Sequence, residues 1–264
     1  MSKQKEIAAL MAAKAPLHWQ ESYDNAGFLV GEPDASIEKI LVALDVTLPV
    51  VEEAAKDGAT LIVAHHPIIF QPVRRLTDAD GTSRVIRALI QNGIGAICMH
   101  TNLDAAPGGV NDLLAEALGL QKTDVLLPAG TTADGIPYGI GRVGFLQKPM
   151  TLSAYTEQVK QALYTKGLRF CDGGQQVFRV AVGGGSCGSL LSEVIALGCD
   201  TFVTGDVKYD VFLEAVAMGI NLIDAGHYPT ENLICTQLVH WLQEAFPQVE
   251  VMLSSSHRDV VQFV

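Results

Sequence analysis

The chain reads as an α/β protein, and three observations predict that class. Short apolar, β-branched runs alternate with segments of helical period, the signature of a largely parallel sheet with helices on its faces. Several of these runs stop on histidine or carboxylate, as strands do when their carboxyl ends hand loops to a ligand. With 264 residues and 48% hydrophobic content, the chain can bury a large core, in one large domain or two modest ones.

Taken in order, Ile7, Leu10, Met11 and Lys14 recur at helical spacing and stop before Pro16, giving a short amphipathic helix. The run 22–31 (SYDNAGFLVG) opens as a turn and closes as a strand, with Asp24 and Asn25 read as turn residues that bond their local backbone. Residues 39–45 (KILVALD) form a strand and 49–57 a helix ended by Gly58. A buried strand at 60–64 is stopped by Pro67, which lacks the N–H that the ladder needs. A helix at 84–91 ends at Asn92-Gly93, a strand at 94–99 runs into His100, and a helix at 110–118 follows a polar loop.

Between 119 and 149 Gly, Pro, Thr and Asp dominate around one expected strand, 138–146, which marks passage into a second α/β unit. A helix at 152–166 and strands at 168–171 and 178–182 come next, then a glycine-rich turn, 183–188, and a helix at 189–197. Such a turn can cradle an anion on its backbone N–H groups, but it matches neither the Walker nor the dinucleotide spacing, and a tight turn allowing close helix packing is favoured over a phosphate cradle because glycine's conformational freedom explains it alone. A strand at 201–203, a helix at 209–218 and a strand at 220–225 lead to a helix opening around Pro229 and running to 244. Two closing strands are expected near 249–253 and 259–264.

Composition narrows the function classes. The net charge of −11 and the absence of a basic cluster beyond Arg74-Arg75 disfavour binding to a nucleic-acid backbone. A small nucleotide stays compatible, because a metal ion can supply the local positive charge. Five widely spaced cysteines with no C-x-x-C pairing read as reduced thiols of a cytoplasmic protein. No apolar run approaches the ~18 residues of a membrane span, and the first residues lack an apolar leader, so no membrane partner is expected.

Three strand ends far apart in sequence each present metal-competent groups: His65 and His66, His100 and Asp104, His227 and Glu231. Neighbouring side chains on an extended strand point to opposite faces, so His65 and His66 serve one site only if the backbone turns there, or if each holds its own ion. Taken alone, the pair reads equally well as one packed and one solvated loop histidine; the other two strand ends tip the balance. His227 and Glu231 are four apart and share a face if the helix starts at His227. Imidazoles mixed with carboxylates suit Zn, Mn, Fe or Co. Glu231 could bridge two ions in an arrangement that activates water, and His100 could orient a ligand or move a proton beside them. His18, His240 and His257 lie outside the pattern and read as surface or packing residues, and Cys98 reads as core.

Together AHHP (64–67), HTNLDAAPGGVND (100–112), TGD (204–206), GHYPTE (226–231) and the early DNAGFLVG resemble the Nif-three-like family, whose members are associated with GTP cyclohydrolase I type 2 activity. The resemblance spans essentially the whole chain. It implies two intertwined α/β domains, three-layered with mixed sheets: residues 1–127 plus 229–264, and residues 128–228, with a dinuclear metal site in the cleft between them. It also implies a homohexameric ring. Carried over by motif, the ligands of two divalent ions per subunit are His65, His66, Asp104, His227 and Glu231. Glu231 would bridge, with His66 and Asp104 on one ion and His65 and His227 on the other, and His100 and Glu231 would serve the chemistry. After TGD the chain reads Val207-Lys208-Tyr209-Asp210, where many relatives place a histidine, and the tail 254–259 departs from the usual polar ending; neither change touches the metal set.

The expected function is a dinuclear hydrolase of a small-molecule substrate, a purine nucleotide, with GTP ring opening as the reaction that the resemblance implies. The alternatives are a dinuclear phosphoesterase or damaged-nucleotide hydrolase, and a non-enzymatic metal-handling or regulatory ring.

Overall fold

The computed structural model describes residues 2–264. The chain opens with β1 (Ser2–Lys3) and α1 (Gln4–Lys14), followed by β2 (Gly27–Val30), β3 (Ser36–Ile37) and β4 (Lys39–Ala43). Then come α2 (Leu48–Asp57), β5 (Leu61–Ala64), α3 (Gly81–Gln91), β6 (Gly95–Cys98) and the short α4 (Thr101–Ala105). Next are α5 (Val110–Ala117), the hairpin β7 (Gln121–Thr131) and β8 (Pro137–Met150), α6 (Leu152–Ala162), β9 (Arg169–Cys171) and β10 (Val177–Val182). The last stretch holds α7 (Leu191–Ala196), β11 (Thr201–Thr204), α8 (Tyr209–Ala217), β12 (Asn221–Asp224), α9 (His227–Glu231), α10 (Leu233–Ala245) and β13 (Glu250–Leu253).

These elements form two compact units: residues up to Leu103 with Ile234–Arg258, and Asp104–Leu233 with Asp259–Val264. The expected junction at 127/128 falls inside β7, and the one at 228/229 inside α9. The chain divides instead at Leu103/Asp104 and Leu233/Ile234, because the strand that crosses 127 is half of a hairpin that belongs whole to the second unit.

The first unit holds a five-stranded sheet in the order β13-β4-β5-β6-β2. Its first four strands run parallel, and β2 is antiparallel to β6. β5 and β6 are buried along their whole length, and β4 from its second residue on, as central parallel strands are. Val50, Val51 and Ala54 of α2, with Val85 and Leu89 of α3, cover one face. Helix α2 starts with a proline in its first turn and stops at Gly58, whose φ of 76° is the left-handed C-cap glycine readily adopts. The register sets Ala43 beside Ala64 and Ala64 beside Cys98, so the three strands end level. Asp45, His65, His66 and His100 therefore leave the sheet along one edge.

The second unit holds a six-stranded sheet in the order β7-β8-β10-β11-β12-β9. Only β10, β11 and β12 run parallel; the remaining neighbours are antiparallel. A largely parallel arrangement therefore holds in the first unit and gives way to a mixed sheet in the second. Tyr155 and Val159 of α6 pack with Val180 and Val182 of β10 and Ile223 of β12. Two expectations change here. The 119–149 region carries two strands rather than one, because β7 is an edge strand with an exposed polar start, two register shifts and Pro128, and pairing rather than apolar alternation defines it. Residues 259–264 form no strand. Among the described residues, no helix is long and apolar enough to cross a membrane.

Candidate metal centre

In the first unit His65, His66 and His100 converge, with one ligand-capable atom from each lying within 4.8 Å of the others. Their ring centroids are 4.9, 5.3 and 5.7 Å apart. The condition that adjacency placed on His65 and His66 is met by the backbone: both N–H groups donate to the Leu44 carbonyl, at 3.2 and 3.0 Å, so the chain turns at the pair.

Each ring is held through Nδ1. His65 Nδ1 lies 2.7 Å from the Met99 carbonyl oxygen, which can only accept, so the proton sits on Nδ1 and the lone pair on Nε2. His66 Nδ1 donates to Asp45 Oδ1 and His100 Nδ1 to Asp24 Oδ1, both at 2.7 Å. A histidine whose Nδ1–H is engaged by a carbonyl or carboxylate presents Nε2 as a metal ligand or proton acceptor. The Asp24 side chain is wholly buried. Burial alone would raise its pKa, but the bonds from His100 and Thr101 outweigh that and hold it at about 2. Asp24 also accepts from the Thr101 backbone at 3.0 Å and from the Thr101 hydroxyl, so one carboxylate fixes both His100 and the start of α4.

In the second unit α9 starts at His227, which sets His227 and Glu231 on one face with Nε2 and Oε2 3.0 Å apart. His227 Nδ1 bonds Asp206 Oδ2 at 2.8 Å, repeating the orienting contact of the first unit. Asp206, at a φ of 51°, occupies the turn after β11. Carboxylate oxygens of Asp104 and Glu231 come within 4.8 Å of each other. Burial first, and then the charges of Asp104 and Glu231, push up the pKa of the Cys187 thiol.

The glycine-rich turn shapes this carboxylate pair. Gly184 N–H donates to Asn111 Oδ1 at 2.9 Å and Gly185 N–H to Thr230 Oγ1 at 3.0 Å, so these amides are engaged within the protein, as a packing turn requires. Asn111 in turn donates to the Asp104 carbonyl at 3.0 Å. Gly185 has a φ of +64°; a Cβ there would overlap the Glu231 carboxylate and stand 3.1 Å from His227 Nε2. Glycine is required so that the Glu231 carboxylate can lie against the backbone.

The structure thus brings His65, His66 and His100 together, and Asp104, His227 and Glu231 together. Histidine nitrogens with fixed tautomers and buried carboxylates, with no thiol in these groups among the described residues, fit a divalent transition metal or zinc. Asp24, Asp45 and Asp206 are orienting partners of the candidate site's imidazoles that sequence reading missed. All three sit beside the turns that deliver the histidines, but only long-range packing shows which imidazole each one holds. His18 and His240 are exposed, and His257 Nδ1 bonds the Ser254 carbonyl at 2.7 Å.

Comparison with known proteins gives one picture. The Duf34/NIF3 (NGG1p interacting factor 3) family model matches residues 2–260. A GTP cyclohydrolase 1 type 2 homolog of Clostridium perfringens is 33% identical over 264 residues, covering 99% of this chain and 100% of the relative. The crystal structure of a Bacillus cereus protein related to NIF3 superposes with a TM-score of 0.94 at 28% identity, covering 100% of both chains. A hypothetical protein of Staphylococcus aureus gives 0.90 at 32% identity over 99% of each chain.

Proposed function

Because the chain belongs to the Duf34/NIF3 family, we propose that it is a dinuclear metal-dependent hydrolase of a purine nucleotide, opening GTP toward dihydroneopterin triphosphate with release of C8 as formate. The observation that carries this reading is the set of imidazoles with Nδ1 tied to oxygen acceptors and Nε2 left to ligate, together with the His227–Glu231 pair held by Asp206. Relatives named GTP cyclohydrolase 1 type 2 homolog support the choice of substrate. The ligand set is His65, His66, Asp104, His227 and Glu231, for two ions drawn from Zn, Mn, Fe or Co. Such ions, when bound, supply Lewis acidity and lower the pKa of water.

The chain's own residues supply orientation and proton movement. Asp45 and Asp206 keep His66 and His227 in their ligating tautomer. Asp24 holds His100 with Nε2 available, so that imidazole can take a proton from water as it adds to the purine C8 and return it to a ring nitrogen as the first C8–N bond opens. A second water, deprotonated in the same way, would add to the resulting formamide, and its proton would go to the leaving nitrogen as formate departs. The Glu231 carboxylate, fixed against Gly185, would meet a cation without searching for its position.

A cytoplasmic location and a homohexamer belong to the same reading, supported by five free cysteines and by Tyr209, Leu213 and Val216, which form an exposed apolar stripe along α8. Light scattering of the purified protein tests the assembly. For the activity, the protein is loaded with each metal in turn, occupancy is fixed by elemental analysis, and GTP is followed by mass-resolved chromatography beside Glu231→Ala. Formate and a pterin from wild type alone establish the reading. Phosphate release from the nucleotide moves it to a phosphoesterase, and intact substrate at full occupancy moves it to metal handling.

A further inference from the structure

Beside the histidine cluster of the first unit stand two aromatic side chains that neither metal binding nor the core accounts for. Phe70 is 43% exposed and Tyr23 62% exposed. Their ring centroids lie 6.3 Å apart, and Phe70 stands 6.0 Å from His100, nearly perpendicular to it at 87°. The rings thus run without interruption from Tyr23 through Phe70 to His100 and on to His65 and His66.

The two loops that carry them are tied down. Asn25 Nδ2 donates to the Ile69 carbonyl at 2.6 Å, joining the loop before β2 to the loop after the histidine pair. Asp24 anchors the first loop to His100 and Thr101, and Ala26 N–H donates to Gln20 Oε1 at 2.8 Å. Rings held by bonded backbone lose little freedom on binding, and a wet aromatic face gains most from a planar partner. Neither side chain offers a metal donor at neutral pH, so the pair adds a recognition function to the site.

We infer that Tyr23 and Phe70 form a stacking platform for a fused heteroaromatic ring, a purine or a pterin, and that this platform positions the ring next to His100. This deepens the nucleotide reading and rests on it for the substrate class. It assigns to Phe70 and Tyr23 the choice of a planar base over other phosphorylated metabolites.

The test uses the intact, zinc-loaded protein, with occupancy measured by elemental analysis and folding by circular dichroism. GMP, neopterin and ribose 5-phosphate are titrated by calorimetry into wild type, Tyr23→Ala, Phe70→Ala and Phe70→Trp. Expected is a loss of roughly tenfold in GMP and neopterin affinity for each alanine variant, unchanged ribose 5-phosphate binding, and recovery in Phe70→Trp. Equal binding of GMP by wild type and both alanine variants, parallel weakening of all three ligands, or no binding of either ring compound by wild type overturns the inference. The outcome separates from the turnover assay: ring binding lost in Phe70→Ala with no formate from wild type keeps the platform and removes the cyclohydrolase reading. Formate release with an unaltered KM in Phe70→Ala does the reverse.

Discussion

Substituting Gly185 by alanine isolates the packing that holds Glu231 in place. The added Cβ meets the Glu231 carboxylate on one side and His227 Nε2 at 3.1 Å on the other. Glu231 is 3% exposed, so its side chain has no open solvent into which to swing. The carboxylate oxygen must move by several times the ~0.2 Å that a metal–ligand distance tolerates. Loss of a ligand should exceed the 10–100-fold penalty typical of disturbing an orienting partner, so the metal dissociation constant should rise by more than about 100-fold. The backbone adds a second effect, because alanine at a φ of +64° costs about 1–2 kcal/mol of stability. Gly174→Ala is the control: its φ is +79° and nothing lies within 4 Å of the added Cβ, so it carries the backbone cost alone. Urea denaturation of both apoproteins and competitive zinc titration with a chromophoric chelator give the two quantities. Greater destabilisation of Gly185→Ala than of Gly174→Ala, the excess coming from the overlap with Glu231, with weakened zinc binding only in Gly185→Ala, is the expected pattern. Zinc affinity in Gly185→Ala equal to that of Gly174→Ala would refute the placement of Glu231 as a ligand.

Asp206→Asn keeps the shape of the contact to His227 but removes the charge that fixes its tautomer, and should weaken metal binding by about 10–100-fold in the same titration; an unchanged constant would show that Asp206 is not an orienting partner. Glu53, despite a burial effect in the opposite direction, is held at about 2 by bonds from Ser254, Ser255 and Ser256. Its folded pKa lies below the ordinary glutamate value of 4.5, so its contribution is full above pH 4.5 and is lost as pH falls toward about 2. Glu53→Gln should therefore flatten the stability profile across that window, measured by denaturant midpoints at each pH, and an unaltered slope would exclude the clamp. Tyr155 is fully buried and its hydroxyl has no hydrogen-bond partner among the described residues. Tyr155→Phe removes that uncompensated group and should stabilise by about 1 kcal/mol. Scanning calorimetry should show a Tm about 2–4 °C higher, and a lower Tm would reveal a partner for the hydroxyl.

What the sequence made legible was local. Pro67 announces the end of β5, so the delivery of His65 and His66 at a sheet edge can be read without coordinates. The spacing of His227 and Glu231 fixes their shared face once α9 begins at His227. The missing parts depend on contacts between distant residues. Asp24 looks like an ordinary turn aspartate, and its bond to His100 spans 76 positions. β7 has no apolar alternation to betray it, since most of its side chains face solvent and its definition comes from pairing with β8. The tail at 259–264 shows the opposite error: Val260, Val261 and Phe263 have strand propensity, yet they stay exposed and pair with nothing that would make a ladder.

The first unit is assembled from two stretches far apart in sequence, residues up to Leu103 and Ile234–Arg258. β13 lies beside β4, with Glu250 opposite Lys39 and Leu253 opposite Val42. During synthesis the ribosome therefore delivers residues 104–233 before the strand that finishes the earlier sheet exists. Loop closure over so long an insertion adds little to the equilibrium cost, since each doubling of length adds only about 0.6 kcal/mol. The burden falls on the order of events: the nascent chain carries β4 as an open, apolar sheet edge until residues 250–253 emerge. A product truncated anywhere before Glu250 keeps that edge unpaired, open to strand-to-strand association with other chains.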